Sequence, residues 1–154
     1  MYRNVLIATD LLPTSVPALR DGLRLARSQG ATVGVLYVIE VWMVERQWFT
    51  RVSKEDVAFH KDFLAREEEA VSREMRAQID RARSDQPIDT VDTLVRQGRA
   101  PDEIAAVAAH RACDLIVIGT RGRPDTLGSV AEQVVRIAAI AGRSVLVVPA
   151  EPPV

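Results

Sequence analysis

The sequence is poor in several things at once, and each shortage removes a class of function. It has one cysteine, Cys113, so no intrachain disulfide can form. Cys113 leads into Asp114, Leu115 and Ile116, the entry of an apolar strand, where a thiol reads as a small hydrophobe rather than a redox group. Lysine occurs only at Lys54 and Lys61, which leaves no Gly-Lys-Ser/Thr ending for a Walker-type phosphate loop. The two histidines, His60 and His110, are far apart and lack metal-ligand spacing, so a zinc site is not expected. A formal net charge of −1 gives no general attraction to nucleic acid or to an anionic membrane. No apolar run approaches the ~20 residues of a membrane-spanning helix. Residues 1–8 lack the long apolar core and small-residue cleavage site of a secretory signal. A cytoplasmic protein with no membrane or nucleic-acid partner is expected.

What is present describes an ordinary globular chain: 154 residues, 47% hydrophobic and 27% charged, enough to bury one core. Short apolar runs alternate with longer helical stretches. Val5, Leu6, Ile7 and Ala8 form a first strand, closed by Asp10. Over residues 13–28, Val16, Leu19, Leu23 and Ala26 recur at helical spacing, and Gly30 ends the helix. Thr32–Ile39 reads as a strand buried on both faces.

Residues 41–52 fit neither pattern. Trp42, Trp48 and Phe49 stand among charges there, and residues 42–49 read as a flap or a protein-partner surface. Ser53 and Asp56 mark the start of a long helix reaching Arg83, with Val57, Leu64, Val71, Met75 and Ala82 in one stripe. Glu67, Glu68 and Glu69 fall on its solvated face. After Pro87 come a strand over 91–95, a helix over 101–111 and a strand over 115–118. A helix opening at Gly128 and Ser129 and reaching Ala141 is followed by a last strand over 144–148. One domain over residues 1–149 and a flexible tail over 150–154 are expected.

Strands alternating with helices in this way predict an α/β fold: a single open five-stranded parallel sheet with helices on both faces. Ligands in such folds bind beyond the carboxyl ends of the strands, at the switch point. The residues just after each strand therefore carry the chemistry.

After the fourth strand come Gly119, Thr120, Arg121, Gly122 and Arg123, then Gly128, Ser129 and Val130. Glycines let backbone approach a ligand closely, and a helix start offers free N–H groups to an anion. Ser129, Arg121 and Arg123 add polar donors. A tight loop with solvated arginines explains the same residues equally well. Asp10 also has two readings: an acceptor for a ribose or base, or a helix-entry residue satisfying local N–H groups.

Taken together, the segments around Asp10 and Val38, Gly98 with Pro101, and the block from Asp114 through Gly119, Gly122, Gly128, Ser129 and Glu132 to Pro149 resemble the universal stress protein family. The resemblance covers residues 2–149, with residues 114–149 the specific part. It implies an adenine nucleotide alpha hydrolase-like fold of strand order 3-2-1-4-5. It also implies a homodimer through the last strand, at Val145, Leu146, Val147 and Val148. The family's nucleotide pattern, carried over by position, has Gly119, Gly122, Gly128, Ser129 and Val130 at the phosphates and ribose, where Arg121 would add a charge-assisted donor. Ala8, Thr9, Asp10, Val38 and Ile118 would line the adenine. The implied ligand is ATP, or AMP or ADP, with Mg2+ accompanying it.

Two departures stand out against that pattern. Only five residues, 123–127, separate Gly122 from Gly128, where the family's nucleotide binders have nine. Six Cα steps still reach roughly 20 Å, enough to join strand to helix, although Pro124 restricts the path and Asp125 adds negative charge. Leu12 replaces the usual serine or threonine two positions after the aspartate, with Thr14 or Ser15 expected as the substitute helix cap.

The resemblance implies a regulatory nucleotide-binding protein of the stress response, with slow ATP hydrolysis at most. The alternative is an interaction module of the same fold that has lost ATP through the shortened loop. An adenylyl-transferring enzyme would want a His-x-x-His or Ser-Gly-Gly-x-Asp loop early in the chain, and no nucleophile–base–acid set is visible. A phosphorylatable receiver would want an aspartate and a lysine where Gln97-Gly98 and Pro149 stand.

Overall fold

The computed structural model describes residues 1–40, 54–83, 91–120 and 128–152, with side chains of the long helix given from Lys61 onward. In chain order the elements are β1 (Asn4–Ala8), α1 (Val16–Gln29), β2 (Thr32–Ile39), α2 (Lys54–Arg83) and β3 (Val91–Gln97). They continue with α3 (Ala100–His110), β4 (Leu115–Gly119), α4 (Ser129–Ile140) and β5 (Ser144–Val148). The five strands form one parallel sheet in the order β3-β2-β1-β4-β5.

Strand alternation divides the core into two. Val5, Ile7, Val33, Val35, Leu115 and Val117 face one side and pack with Leu19, Leu23 and Ala26 of α1 and Val71, Met75 and Ile79 of α2. Leu6, Leu36, Ile116 and Ile118 face the other side and meet Ile104 and Val107 of α3 and Val134 and Ala138 of α4. A central strand covered on both faces has no polar side to show, which is why β1 and β4 read as continuous apolar runs. Each fully buried side chain of this kind contributes about 1.5–3 kcal/mol.

α1 lies close to the sheet because residue 22 is glycine. A Cβ there would come 2.7 Å from Ile7 Cδ1. At the amino end of the sheet, the Asp114 carboxylate accepts the Arg3 N–H at 2.9 Å and the Asn4 N–H at 3.0 Å, fastening β1 to β4. Burial works to raise the Asp114 carboxyl, but these two donors, with its own backbone N–H and the positive amino terminus, together outweigh it, so its pKa lies below the ordinary value.

Three expectations are corrected. Residues 13–15 form a separate 3₁₀ turn ahead of α1, so the first helix begins at Val16 rather than Pro13. Neither Thr14 nor Ser15 replaces the missing cap: Ser15 makes no side-chain cap, and its hydroxyl turns back to donate to the Leu12 carbonyl at 2.9 Å. β3 extends to Gln97, two residues beyond expectation, through backbone pairing of Arg96 with Val38 and Gln97 with Ile39. The aromatic segment 42–49, the Ser53 cap and the Pro87 break lie outside the described residues. At the carboxyl end, the Ala150 N–H donates to Thr120 Oγ1 and Glu151 pairs with Arg20 at 2.8 Å.

Candidate functional site

β1 is the switch point. The chain leaves it toward β2 on one side, and returns to it from the other side as β4. A cavity of about 230 Å³ opens where the carboxyl ends of β1, β2 and β4 meet the start of α4.

β1 supplies its end and the turn that follows. Ala8, Thr9 and Asp10 line the cavity, with Thr14 and Ser15 behind them. The turn is wired by its own side chains. The Leu11 N–H donates to Thr9 Oγ1 at 3.0 Å, and the Leu12 N–H donates to Asp10 Oδ1 at 3.0 Å. Ser15 spends its one hydroxyl hydrogen on the Leu12 carbonyl, so Thr9 donates in the 2.9 Å Thr9–Ser15 contact. Asp10 thus satisfies a local N–H and lines the cavity at once.

β2 supplies Leu36, Tyr37, Val38 and Glu40. The Leu36 carbonyl accepts the Thr9 N–H at 3.0 Å, the last bond between β1 and β2. Main-chain groups alternate sides along a strand, so Val38 turns its N–H and C=O the same way as Leu36, past the end of β1. Ile39 faces the opposite way, where its carbonyl accepts the Gly98 N–H. The Val38 backbone is therefore presented to the cavity. Glu40 reaches across to accept the Ala100 N–H at the start of α3. Burial, with Glu67, Asp10 and Glu40 nearby, pushes the Tyr37 phenol up, so it stays protonated at neutral pH.

β4 and α4 supply the opposite wall: Ile118, Gly119, Thr120, Gly128, Ser129 and Val130. Gly128 sits at φ 77° as the residue before α4, a conformation that crowds any residue with a Cβ. Among the described residues no side chain caps α4, and the Glu132 N–H is the first to bond back, to the Gly128 carbonyl. The earlier N–H groups of that turn, at Ser129, Val130 and Ala131, have no partner inside the helix and border the cavity. Gly119 is a different case. A Cβ there would meet Ala18 Cβ at 3.5 Å, an ordinary contact, so the fold itself does not require glycine.

Of the residues singled out in the sequence, Ala8, Thr9, Asp10, Val38, Ile118, Gly119, Gly128, Ser129 and Val130 are brought together at this cavity. Arg121 and Gly122 lie outside the described residues. Thr14, Ser15, Tyr37, Glu40, Ala100, Ile104 and Thr120 also line it and were not anticipated. Their types carry no distinctive chemistry, and only their position after a strand or at a helix start marks them. Among the described residues, no group of three or more His, Cys, Asp or Glu is placed to hold a metal ion. No described helix is long and apolar enough to cross a membrane.

A model of the universal stress protein family matches residues 1–149. In structure the chain is similar to the universal stress protein UspA from Lactobacillus plantarum, with 21% identity, a TM-score of 0.72, and 96% of this chain and 97% of that one covered. It is also similar to a universal stress protein in complex with cAMP, at 20% identity and a TM-score of 0.67 over 96% of this chain and 97% of that one. A third likeness is to the universal stress protein from Archaeoglobus fulgidus in complex with dAMP, at 25% identity and a TM-score of 0.51, covering 97% and 98% of the two chains. The strand order and the helix layers are those of the adenine nucleotide alpha hydrolase-like fold these proteins share. By the extent of that match, the chain belongs to the universal stress protein family.

Proposed function

We propose that the cavity binds an adenine nucleotide, and that the protein is a regulatory nucleotide-binding member of its family acting in a stress response rather than a dedicated enzyme. The observation that carries this is one arrangement: apolar walls and a strand edge at one end of the cavity, and at the other a helix start with no side-chain cap among the described residues. Ala8, Val38 and Ile118 suit the flat apolar faces of a base, and the Val38 backbone with Asp10 offers polar contacts to its edge. Gly128, Ser129 and Val130 suit a phosphate, since a helix start presents N–H donors and a partial positive charge. Further support comes from the cAMP and dAMP held by the two related proteins. ATP, ADP and AMP are all ligands of the right chemistry, and Mg2+ would arrive on a polyphosphate.

The test is thermal unfolding with ATP and magnesium, AMP and cAMP in turn. At about 100 times its dissociation constant a nucleotide stabilises the fold by about 2.7 kcal/mol. No shift with any of the three at millimolar concentration would sink the proposal. A second reading, an interaction module without a nucleotide, is favoured by one observation, the five-residue spacing between Gly122 and Gly128. It predicts a flat response in the same titration and no nucleotide co-purifying with the native protein.

A further inference from the structure

Leu11 lies between Asp10 of the cavity wall and Leu12, and its backbone sits at φ 61°. In that left-handed region a side chain crowds the neighbouring carbonyl, so leucine adopts it only where the surroundings over-determine it. Three contacts do so. The Leu11 N–H donates to Thr9 Oγ1 at 3.0 Å. Its side chain packs against the core beneath α1 and α2. Its carbonyl accepts Gln78 Nε2 at 2.9 Å, a bond that reaches across 67 positions of sequence from α2.

Gln78 is only 8% exposed. The same amide nitrogen donates to Glu74 Oε1 at 3.2 Å, and Glu74 in turn pairs with Arg81 at 3.2 Å. Gln78 Oε1, by contrast, is buried and makes no hydrogen bond among the described residues. A buried acceptor without a partner carries a desolvation cost that an apolar residue of similar shape avoids. Packing alone therefore gives no reason for a glutamine at this position. The bond to the Leu11 carbonyl does.

We infer that Gln78 is a positioning residue for the nucleotide cavity. From α2 it holds the strained Leu11 peptide, and with it the Asp10 carboxylate and the Leu12 N–H, in the geometry a ligand meets. This rests on the nucleotide reading of the cavity. It makes α2 part of the site although none of its described residues lines the cavity.

The experiment compares wild type, Gln78→Met and a core control on the same helix, Ile79→Val. ATP and AMP are titrated calorimetrically, and amide hydrogen exchange is followed on the nucleotide-free proteins. Gln78→Met is expected to speed exchange of the Leu11 and Leu12 amides by roughly five- to tenfold, the weight of one hydrogen bond. Nucleotide affinity should fall by a similar factor while the amides of β1 and β4 stay protected. Ile79→Val should lower Tm and leave affinity unchanged. Leu11→Gly accepts the positive φ without strain, so in that background Gln78→Met should cost less than about twofold in affinity. Unchanged Leu11 and Leu12 exchange in Gln78→Met overturns the inference. So does unchanged affinity beside a wild type that binds, or an equal loss in Ile79→Val. A wild type that binds no adenine nucleotide sinks the proposed function instead, and the exchange measurement still decides whether Gln78 holds the turn.

Discussion

Single residues at opposite ends of the sheet do different work. Asp114 fastens the amino end, accepting two backbone N–H groups from the start of β1. Because its pKa is lowered in the folded state, its contribution is present above the ordinary value of 3.8 and is lost as pH falls below it. Asp114→Asn keeps the shape and removes the charge. It should cost about 1 kcal/mol at pH 7, and chemical denaturation from pH 7 down to pH 3 should show the gap to wild type closing. A constant gap across that range would mean the charge is irrelevant. At the carboxyl end, the contrast between two glycines makes a sharper prediction. Gly128→Ala forces a Cβ into a positive φ and should lower stability by about 1 kcal/mol, or roughly 2–4 °C in Tm. Gly119→Ala meets only ordinary contacts, so it should leave Tm nearly unchanged while weakening nucleotide binding, since the new methyl lies at the cavity wall.

Among the elements, legibility in the sequence followed burial. β2 was readable end to end because both faces are covered over most of its length, which turns the strand into one apolar run. The end of β3 was not legible because Arg96 and Gln97 are exposed and held by backbone pairing and, at Gln97, by a polar contact to Glu68, which leaves no hydrophobic trace. The stripe of α2 was visible in Leu64, Val71 and Met75, whereas Gln78 is a buried polar residue that no hydrophobic pattern marks. The turn after β1 was the least legible part of the site. Nothing in leucine announces a left-handed backbone, and the roles of Thr9 and Ser15 depend on which hydroxyl gives its hydrogen to which carbonyl. The glycine at 128 was legible because its positive φ at a helix start selects glycine, whereas Gly119 stood out only by its place after a strand. The rest of the cavity wall consists of common residue types placed by topology, which a linear reading does not see.

For the molecule as a whole, the sheet has two edges, and they are treated differently. β3 packs beneath α2, with Val91 and Val95 against its core. β5 carries Val145, Leu146, Val147 and Val148, with Leu146 36% exposed at the free edge. An apolar edge strand left open invites association, and we propose that a second copy covers it across a two-fold axis. Sedimentation should give a dimer at micromolar concentration, and Leu146→Lys should shift it toward monomer with the fold retained. A stable wild-type monomer would refute the pairing.

The central place of β1 has a consequence for how the protein is made. β1 is translated first, but its partner on one flank, β4, lies about 110 residues later, the separation of the Asn4–Asp114 bond. At roughly 5–20 residues per second that interval is about 5–20 s. Throughout it, the most apolar strand of the nascent chain waits with one side bare. A chain stalled before residue 115 holds α1, β2 and α2 yet has half a cavity and an open central edge. The walls of the cavity are therefore complete only once α4 has been made, and until then β1 is the segment most in need of a chaperone.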